Sequence, residues 1–194
     1  MQEAIKKLHA RRSIRRFTQD ALPREAIADM LESARLSPTG TNQQPLSFVA
    51  VTNASLCSKL FPYTKWAALL QNEQAKPDAS TQPTGYIALL IDQTIRKEAA
   101  VDAGAAAMSI ILTAQLHGIA SCWLANIDRD AIMRLLNFPT ARYALHSIIA
   151  LGYPAMHAKA VPLAEDESTA YYLDANFSLC VPKRAAKNVI QWIE

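Results

Sequence analysis

The sequence predicts an α+β fold. Three observations lead there: helical and strand-like segments mix without a regular βαβ alternation, no internal repeat is visible, and an apolar stretch at residues 98–117 is long enough for a buried central helix. With 194 residues and 51% hydrophobic content, the chain is of a size to form one domain over residues 1–194 around one sizeable core. Charged residues make up 19% and no low-complexity tract occurs, which speaks against disorder.

The elements follow in order. Residues 2–9 have helical composition, and 11–17 read as extended or irregular. A second helix is expected from Pro23, a residue suited to the first helical position, to about 35, with Ile27, Met30, Leu31 and Ala34 on one face. It ends before Ser37-Pro38, because proline disfavours helical geometry in the residue before it. A polar loop leads to a strand at 47–52, and Asn53 caps a short helix to about 60.

Pro62, Pro77 and Pro83 with intervening polar residues make 61–85 the expected variable lid. Strand character returns at 86–92. The helix at 98–117 closes with Gly118 as C-cap. A strand at 121–125, a helix capped by Asp128 to about 137 and a strand at 143–151 come next. An irregular segment from 152 to 181 and a final helix from about 185 complete the expectation.

Composition excludes several functions. A net charge of +3 is too small to argue for nucleic acid. No apolar run long enough for a membrane span or a leader is present, because Ser109, Thr113 and Gln115 interrupt the longest one. Three cysteines, Cys57, Cys122 and Cys180, suggest free buried thiols in a reducing cytoplasm. Four histidines without metal-ligand spacing give no reason to expect a metal. Five glycines, none in a G-x-G-x-x-G or Walker pattern, argue against a dinucleotide-binding Rossmann or P-loop enzyme. No G-x-S-x-G nucleophile elbow occurs.

The chemistry is concentrated in Arg11-Arg12-Ser13-Ile14-Arg15-Arg16-Phe17. Four guanidiniums this close repel one another, and each matches phosphate oxygens bidentately. If the segment is extended, Arg11, Ser13 and Arg15 share one side and Arg12, Ile14 and Arg16 the other. The plain alternative is a solvated arginine-rich helix end. Near the other end, Val181-Pro182-Lys183-Arg184 places two more cations before the expected last helix, a second half of an anion site or a surface turn. Asp102 reads as a local cap or pair, and Trp66 as a core aromatic ahead of a pocket wall.

These motifs, with Ser37-Pro-Thr-Gly-Thr-Asn-Gln-Gln-Pro45, Gly118-Ile-Ala-Ser-Cys-Trp-Leu124 and Ala150-Leu-Gly-Tyr-Pro154, occur in an order that resembles the FMN-dependent nitroreductase family over nearly the whole chain. The resemblance implies a central, mostly antiparallel sheet flanked by helices in an intertwined homodimer, with FMN at the subunit interface. By similarity Arg11 and Ser13 hold the FMN phosphate, with Lys183 or Arg184 closing it. Arg12 lines the ribityl and ring region, and Arg15 faces the pyrimidine edge and tunes the flavin. Pro38, Thr39, Gly40, Asn42 and Gln44 approach the partner's flavin, and Leu124, Ala125 and Asn126 offer backbone groups near N5.

The chain departs from many members at Ala125-Asn126, where an acidic residue and glycine are common, and at Leu46, where tryptophan is common. The implied activity is hydride transfer from NADH or NADPH, through FMN, to a small-molecule acceptor such as a nitroaromatic or quinone. No side chain is nominated as a catalytic acid or base. The alternatives are a specialised family reductase of activated alkenes or halogenated aromatics, and a flavin-binding redox sensor.

Overall fold

The computed structural model describes residues 2–70, 76–164 and 167–194. A four-stranded antiparallel sheet, ordered β1-β2-β4-β3, is built from β1 (Leu46–Val51), β2 (Gly85–Asp92), β4 (Tyr143–Gly152) and β3 (Ala120–Leu124). Every residue of β2 is buried, which is why its run of Tyr86 to Ile91 shows no polar alternation. Such a strand must be covered on both faces.

Side chains alternate across the sheet, so two apolar layers form. On one face Ile87, Leu89, Ile149 and Leu151 pack against α2 (Arg24–Arg35) and α4 (Ala100–Leu116). Met30 meets the small side chains Ala103, Ala106 and Ala107, which let helix and sheet approach closely. On the other face Ala88, Leu90, Ile148 and Ala150 pack with Phe17, Leu60, Trp66, Cys122 and Ile132. There α3 (Ala54–Leu60) and α5 (Arg129–Leu135) complete the layer. The register slips between Leu89 and Leu90, where the pairing passes from Ser147 to Leu145.

The local signals set the boundaries. Asn53 accepts from the Leu56 N–H and Asp128 from the Ala131 N–H, each at 3.0 Å, so both expected caps are present. Gly118 adopts φ +72° just past α4. Its N–H reaches the Gln115 carbonyl at 3.2 Å and the Ile119 N–H reaches Ala114 at 2.9 Å, a Schellman ending that favours glycine. Pro23 stands one position outside α2 rather than at its first residue, with φ −62° and ψ 134°. The helix α1 (Gln2–Ala10) lies beside α4. Cys57, Cys122 and Cys180 are buried free thiols.

Two expectations are corrected. Residues 152–181 are not one irregular segment: β5 (Ala158–Pro162), β6 (Tyr172–Leu173) and β7 (Leu179–Lys183) form a second sheet ordered β5-β7-β6. Its strands are short and largely half-exposed, and Pro162 and Pro182 each remove a ladder donor, so composition carries little strand signal. The parallel β5–β7 pairing is also non-local.

The final helix from about 185 is absent. A single 3-10 turn at Ala186–Asn188 stands in its place, and Val189, Ile190, Trp192 and Ile193 are all exposed. A segment this short does not hold a helix without a packed face. Within the expected lid, Thr64, Trp66, Ala67 and Leu70 are buried in the core, and residues 71–75 lie outside the described residues. Among the described residues no helix is long and apolar enough to cross a membrane.

One ion pair ties the end of β2 to the start of β4. Arg142 donates to Asp92 Oδ2 at 2.6 and 2.8 Å, while Thr94 donates to Oδ1. The Arg142 bonds, then those of Thr94, hold the Asp92 carboxyl down to about 2. A folded pKa below the unfolded value of about 3.9 adds stability that is present above pH 4 and lost as pH falls through 2. Arg142→Gln should therefore lower Tm at pH 6, and the deficit should shrink toward zero as the pH approaches 2. Melting curves across that range check it, and a pH-independent deficit would assign the loss to packing.

Candidate functional site

The arginine segment is pinned by backbone pairing. Ser13 bridges Ser121 in parallel and Phe17 bridges Pro154, with Ile14 N–H on the Ser121 carbonyl at 3.0 Å and Ala155 N–H on the Arg16 carbonyl at 2.9 Å. Ile14 and Phe17 are buried, and these apolar anchors leave the cations at the rim beside β3.

The four guanidiniums then divide. Arg16 reaches Asp78 at 3.5 Å, and Arg12 turns back to the carbonyls of His9 and Arg11 at the end of α1. Desolvation, then the neighbouring Arg11 charge, lowers the pKa of Arg12. Arg11 and Arg15 both act on the thiol of Cys122, which burial pushes up to about 11 while these two cations pull the other way. No ion pair among the described residues uses Arg11 or Arg15. The split of Arg11 and Arg15 from Arg12 and Arg16 is the one that alternation along an extended segment produces.

Arg15 carries the strongest sign of a missing partner. Its guanidinium carbon lies 4.4 Å from the centroid of the Tyr171 ring, a cation–π contact. Its Nη1 is buried with no hydrogen-bond acceptor among the described residues, as is Arg12 Nε. A buried donor left unmade costs about 1–3 kcal/mol. A ligand carbonyl or phosphate oxygen at this rim removes that cost, so the donors present fit an anionic, carbonyl-bearing cofactor such as FMN.

The second motif forms an exposed loop before β1. Thr41, Asn42 and Gln44 have φ of 50°, 55° and 53°, three non-glycine residues in the left-handed region. That conformation costs energy at each residue and needs outside support. The support comes from a buried clamp missed by sequence reading. Asp102, 4% exposed in α4, accepts from the Gly40 N–H at 3.1 Å and pairs with Arg96 at 2.8 Å, while Arg96 Nη1 lies 3.5 Å from the Gly40 carbonyl.

A Cβ on residue 40 would sit 2.6 Å from Arg96 Nη1, so a side chain there would displace the guanidinium from its present place against the loop. Asp102 thus makes the expected local pair, with Arg96 six residues earlier, and is in addition a long-range clamp on Gly40. The available signal was a lone carboxylate in an otherwise apolar helix, which requires a partner.

Pro38, Gly40, Asn42 and Gln44 are exposed, and Thr39 accepts from the Gln44 N–H at 3.1 Å. This loop enters edge strand β1, whereas Ser13 pairs with β3 at the opposite edge. Three inter-strand spacings of about 4.8 Å separate those edges by roughly 14 Å.

At the end of β3, Leu124 is buried. The Ala125 carbonyl accepts from Arg129 at 3.0 Å and the Asn126 carbonyl from the Lys65 N–H at 3.1 Å. Arg129 also holds the carbonyls of Leu145 and His146, so this strand end is braced despite its unusual residues. Lys183 ends β7 opposite Pro162, and Arg184 donates to the Asn188 carbonyl at 3.0 Å. Neither stands at a helix N-terminus. No hydrogen bond or ion pair among the described residues joins either to Arg11, Arg12, Ser13 or Arg15.

Residues 8–153, more than half of the chain, match the nitroreductase family. The chain belongs to that family. It is therefore a member of an oxidoreductase family. A protein of Archaeoglobus fulgidus named for NADH dehydrogenase/NAD(P)H nitroreductase activity is 28% identical over 188 residues, covering 92% of this chain and 95% of that one. A Desulfovibrio desulfuricans protein described as a nitroreductase in complex with FMN is 26% identical, with a TM-score of 0.63 over 79% of this chain and 87% of that one. The fold alone extends further: an FMN-dependent nitroreductase of Clostridium difficile R20291, at 21% identity, aligns over 98% of this chain and 99% of its own with a TM-score of 0.65.

Proposed function

We propose that the chain is an FMN-dependent oxidoreductase that takes reducing equivalents from NADH or NADPH and passes them to a nitroaromatic, quinone or related small acceptor. The observation that carries this reading is the buried Nη1 of Arg15, without a hydrogen-bond partner among the described residues, at a rim where no ion pair among those residues uses Arg11 or Arg15. When bound, FMN supplies the hydride chemistry. Arg11 and Ser13 hold its phosphate, with Lys183 or Arg184 neutralising the far side, and Arg12 Nε turns to the ribityl region. Arg15, held over the Tyr171 ring, donates to the pyrimidine edge. Leu124, Ala125 and Asn126 present backbone groups to the central ring.

A homodimer is part of this reading, and the placement of the two motifs supports it. The loop bearing Pro38, Thr39, Gly40, Asn42 and Gln44 lies at the opposite sheet edge from Arg11 to Arg15, so a shared ligand draws the loop from a second copy. Val101, Met108 and Leu116 add support: all are exposed on α4 at spacings of seven and eight residues, an apolar stripe left open by the described residues. A ligand touching both copies binds the dimer better than the monomer and shifts association by the same factor. Sedimentation with and without FMN should show the apoprotein dissociating more readily; a dimer constant that ignores FMN places the site within one copy.

Arg15→Gln removes the charge and keeps most of the bulk. The potential of bound flavin should fall by about 30 mV or more, because a two-electron couple moves about 30 mV for each 1.4 kcal/mol of lost stabilisation. Spectroelectrochemistry provides the measurement, and an unchanged potential gives Arg15 some other role.

With no separate dinucleotide fold, donor and acceptor use one place in turn. Double-reciprocal plots at several fixed acceptor concentrations should be parallel; intersecting lines would mean that both bind together.

A further inference from the structure

Trp123 is 38% exposed on β3, immediately before the Leu124, Ala125 and Asn126 backbone of the proposed flavin site. Side chains two apart on a strand share a face, so Trp123 stands on the face of Ser121, the residue that bridges Ser13. The indole therefore falls between the hydroxyl assigned to the phosphate and the backbone assigned to the central ring.

Two contacts fix the plane of this indole. Its Nε1 donates to Ser147 Oγ at 2.7 Å, and its Cη2 lies beside Gly104 of α4, 3.9 Å from where a Cβ would stand. Trp123 pairs with Ile149, so Ser147, two residues earlier on β4, is its diagonal neighbour and within reach of an aromatic side chain.

A bulge adds a third member. Leu89 pairs with Ser147 but Leu90 with Leu145, which makes His146 the extra residue. Neighbours on a regular strand face opposite ways, whereas here His146 Nδ1 comes within 2.9 Å of Ser147 Oγ. An indole N–H can only donate, so Ser147 Oγ accepts it and gives its own proton to His146 Nδ1. That arrangement requires a neutral imidazole with its proton on Nε2. A proton on Nδ1 would leave the hydroxyl of Ser147, which is 0% exposed, without its acceptor.

The surroundings favour the neutral form. Burial, then the Arg129 charge, holds His146 below its ordinary value, and Arg129 of α5 also donates to the Leu145 and His146 carbonyls. Asp102 of α4 is paired with Arg96 and Asp92 of β2 with Arg142, while Asp130 and Arg134 of α5 are exposed. Burial raises Tyr86 of β2 and Cys122 of β3, so both stay uncharged.

We infer that Trp123 is a cofactor-contacting wall of the flavin site, and that Ser147 and the neutral imidazole of His146 are its positioning residues. The inference rests on the flavin reading above. It gives the bulge of β4 a purpose, since without it His146 and Ser147 would point to opposite faces.

The test titrates apoprotein with FMN between about pH 7.5 and pH 5, across the range in which histidine gains a proton. Bound FMN should lose its emission against the indole, and Trp123→Ala should restore emission and weaken binding about ten- to a hundredfold, the effect of one stacked aromatic. Ser147→Ala should weaken binding about three- to tenfold. His146→Asn puts an amide oxygen near the place of Nδ1, so its affinity at the upper pH should stay within about twofold of the parent. The FMN phosphate itself titrates near pH 6, so the parent is compared with His146→Asn. On acidification the parent should lose at least about threefold more affinity. In apoprotein the near-ultraviolet circular dichroism of Trp123, taken as the difference from Trp123→Phe, should fall over the same range in the parent and stay level in His146→Asn.

Unchanged FMN affinity in Trp123→Ala, or matching pH profiles in the parent and His146→Asn, overturns the inference. If Ser147→Ala does not fold, the His146→Asn comparison still decides the positioning role. FMN that fails to bind the parent sinks the flavin reading instead, and the dichroism of apoprotein then reads the positioning of Trp123 separately.

Discussion

Arg96→Ala should destabilise the chain by about 3 kcal/mol, because it leaves the Asp102 carboxylate in α4 without its ion-pair partner. In a chain of this size that corresponds to a Tm lower by about 6–12 °C. Asp102→Asn keeps an acceptor for the Gly40 N–H and loses only the charge, so it should cost less. The two effects separate in hydrogen exchange: Arg96→Ala should expose the Gly40 amide as the loop relaxes, and Asp102→Asn should largely protect it. A Tm for Arg96→Ala within about 2 °C of the parent would show that the pair is screened and the loop is held by other means.

Arg11→Ala should weaken FMN binding by about ten- to a hundredfold, the loss of one charge-assisted contact of roughly 1.5–3 kcal/mol. The same is expected of Lys183→Ala/Arg184→Ala if both ends of the chain build the phosphate site. Both variants should stay folded, since none of these side chains is in the core. Fluorescence titration of apoprotein with FMN measures the change. Loss in Arg11→Ala alone would confine the site to the N-terminal segment, in keeping with the contact of Arg184 to Asn188, and loss in neither would remove the phosphate assignment.

What the sequence reveals depends on how local the physics is. The apolar run from Tyr86 to Ile91 is visible because β2 is covered on both faces, and Asn53, Asp128 and Gly118 are visible because caps act within one turn. The β5–β7 sheet is invisible for the opposite reason: its pairing is non-local and two of its strands contain proline. The arginine cluster marks the site, yet its internal division depends on Asp78, 62 residues from Arg16. The clamp joins Gly40 to Asp102 across a similar gap. Neither partner can be read from spacing.

The account stands most directly on one anaerobic titration. Apoprotein saturated with FMN should show the oxidised-flavin absorbance of a bound chromophore, lose it on addition of one equivalent of NADH or NADPH, and regain it when a quinone is added. Absorbance that stays unchanged with both nicotinamides, or FMN that passes freely through a filter retaining the protein, would contradict it.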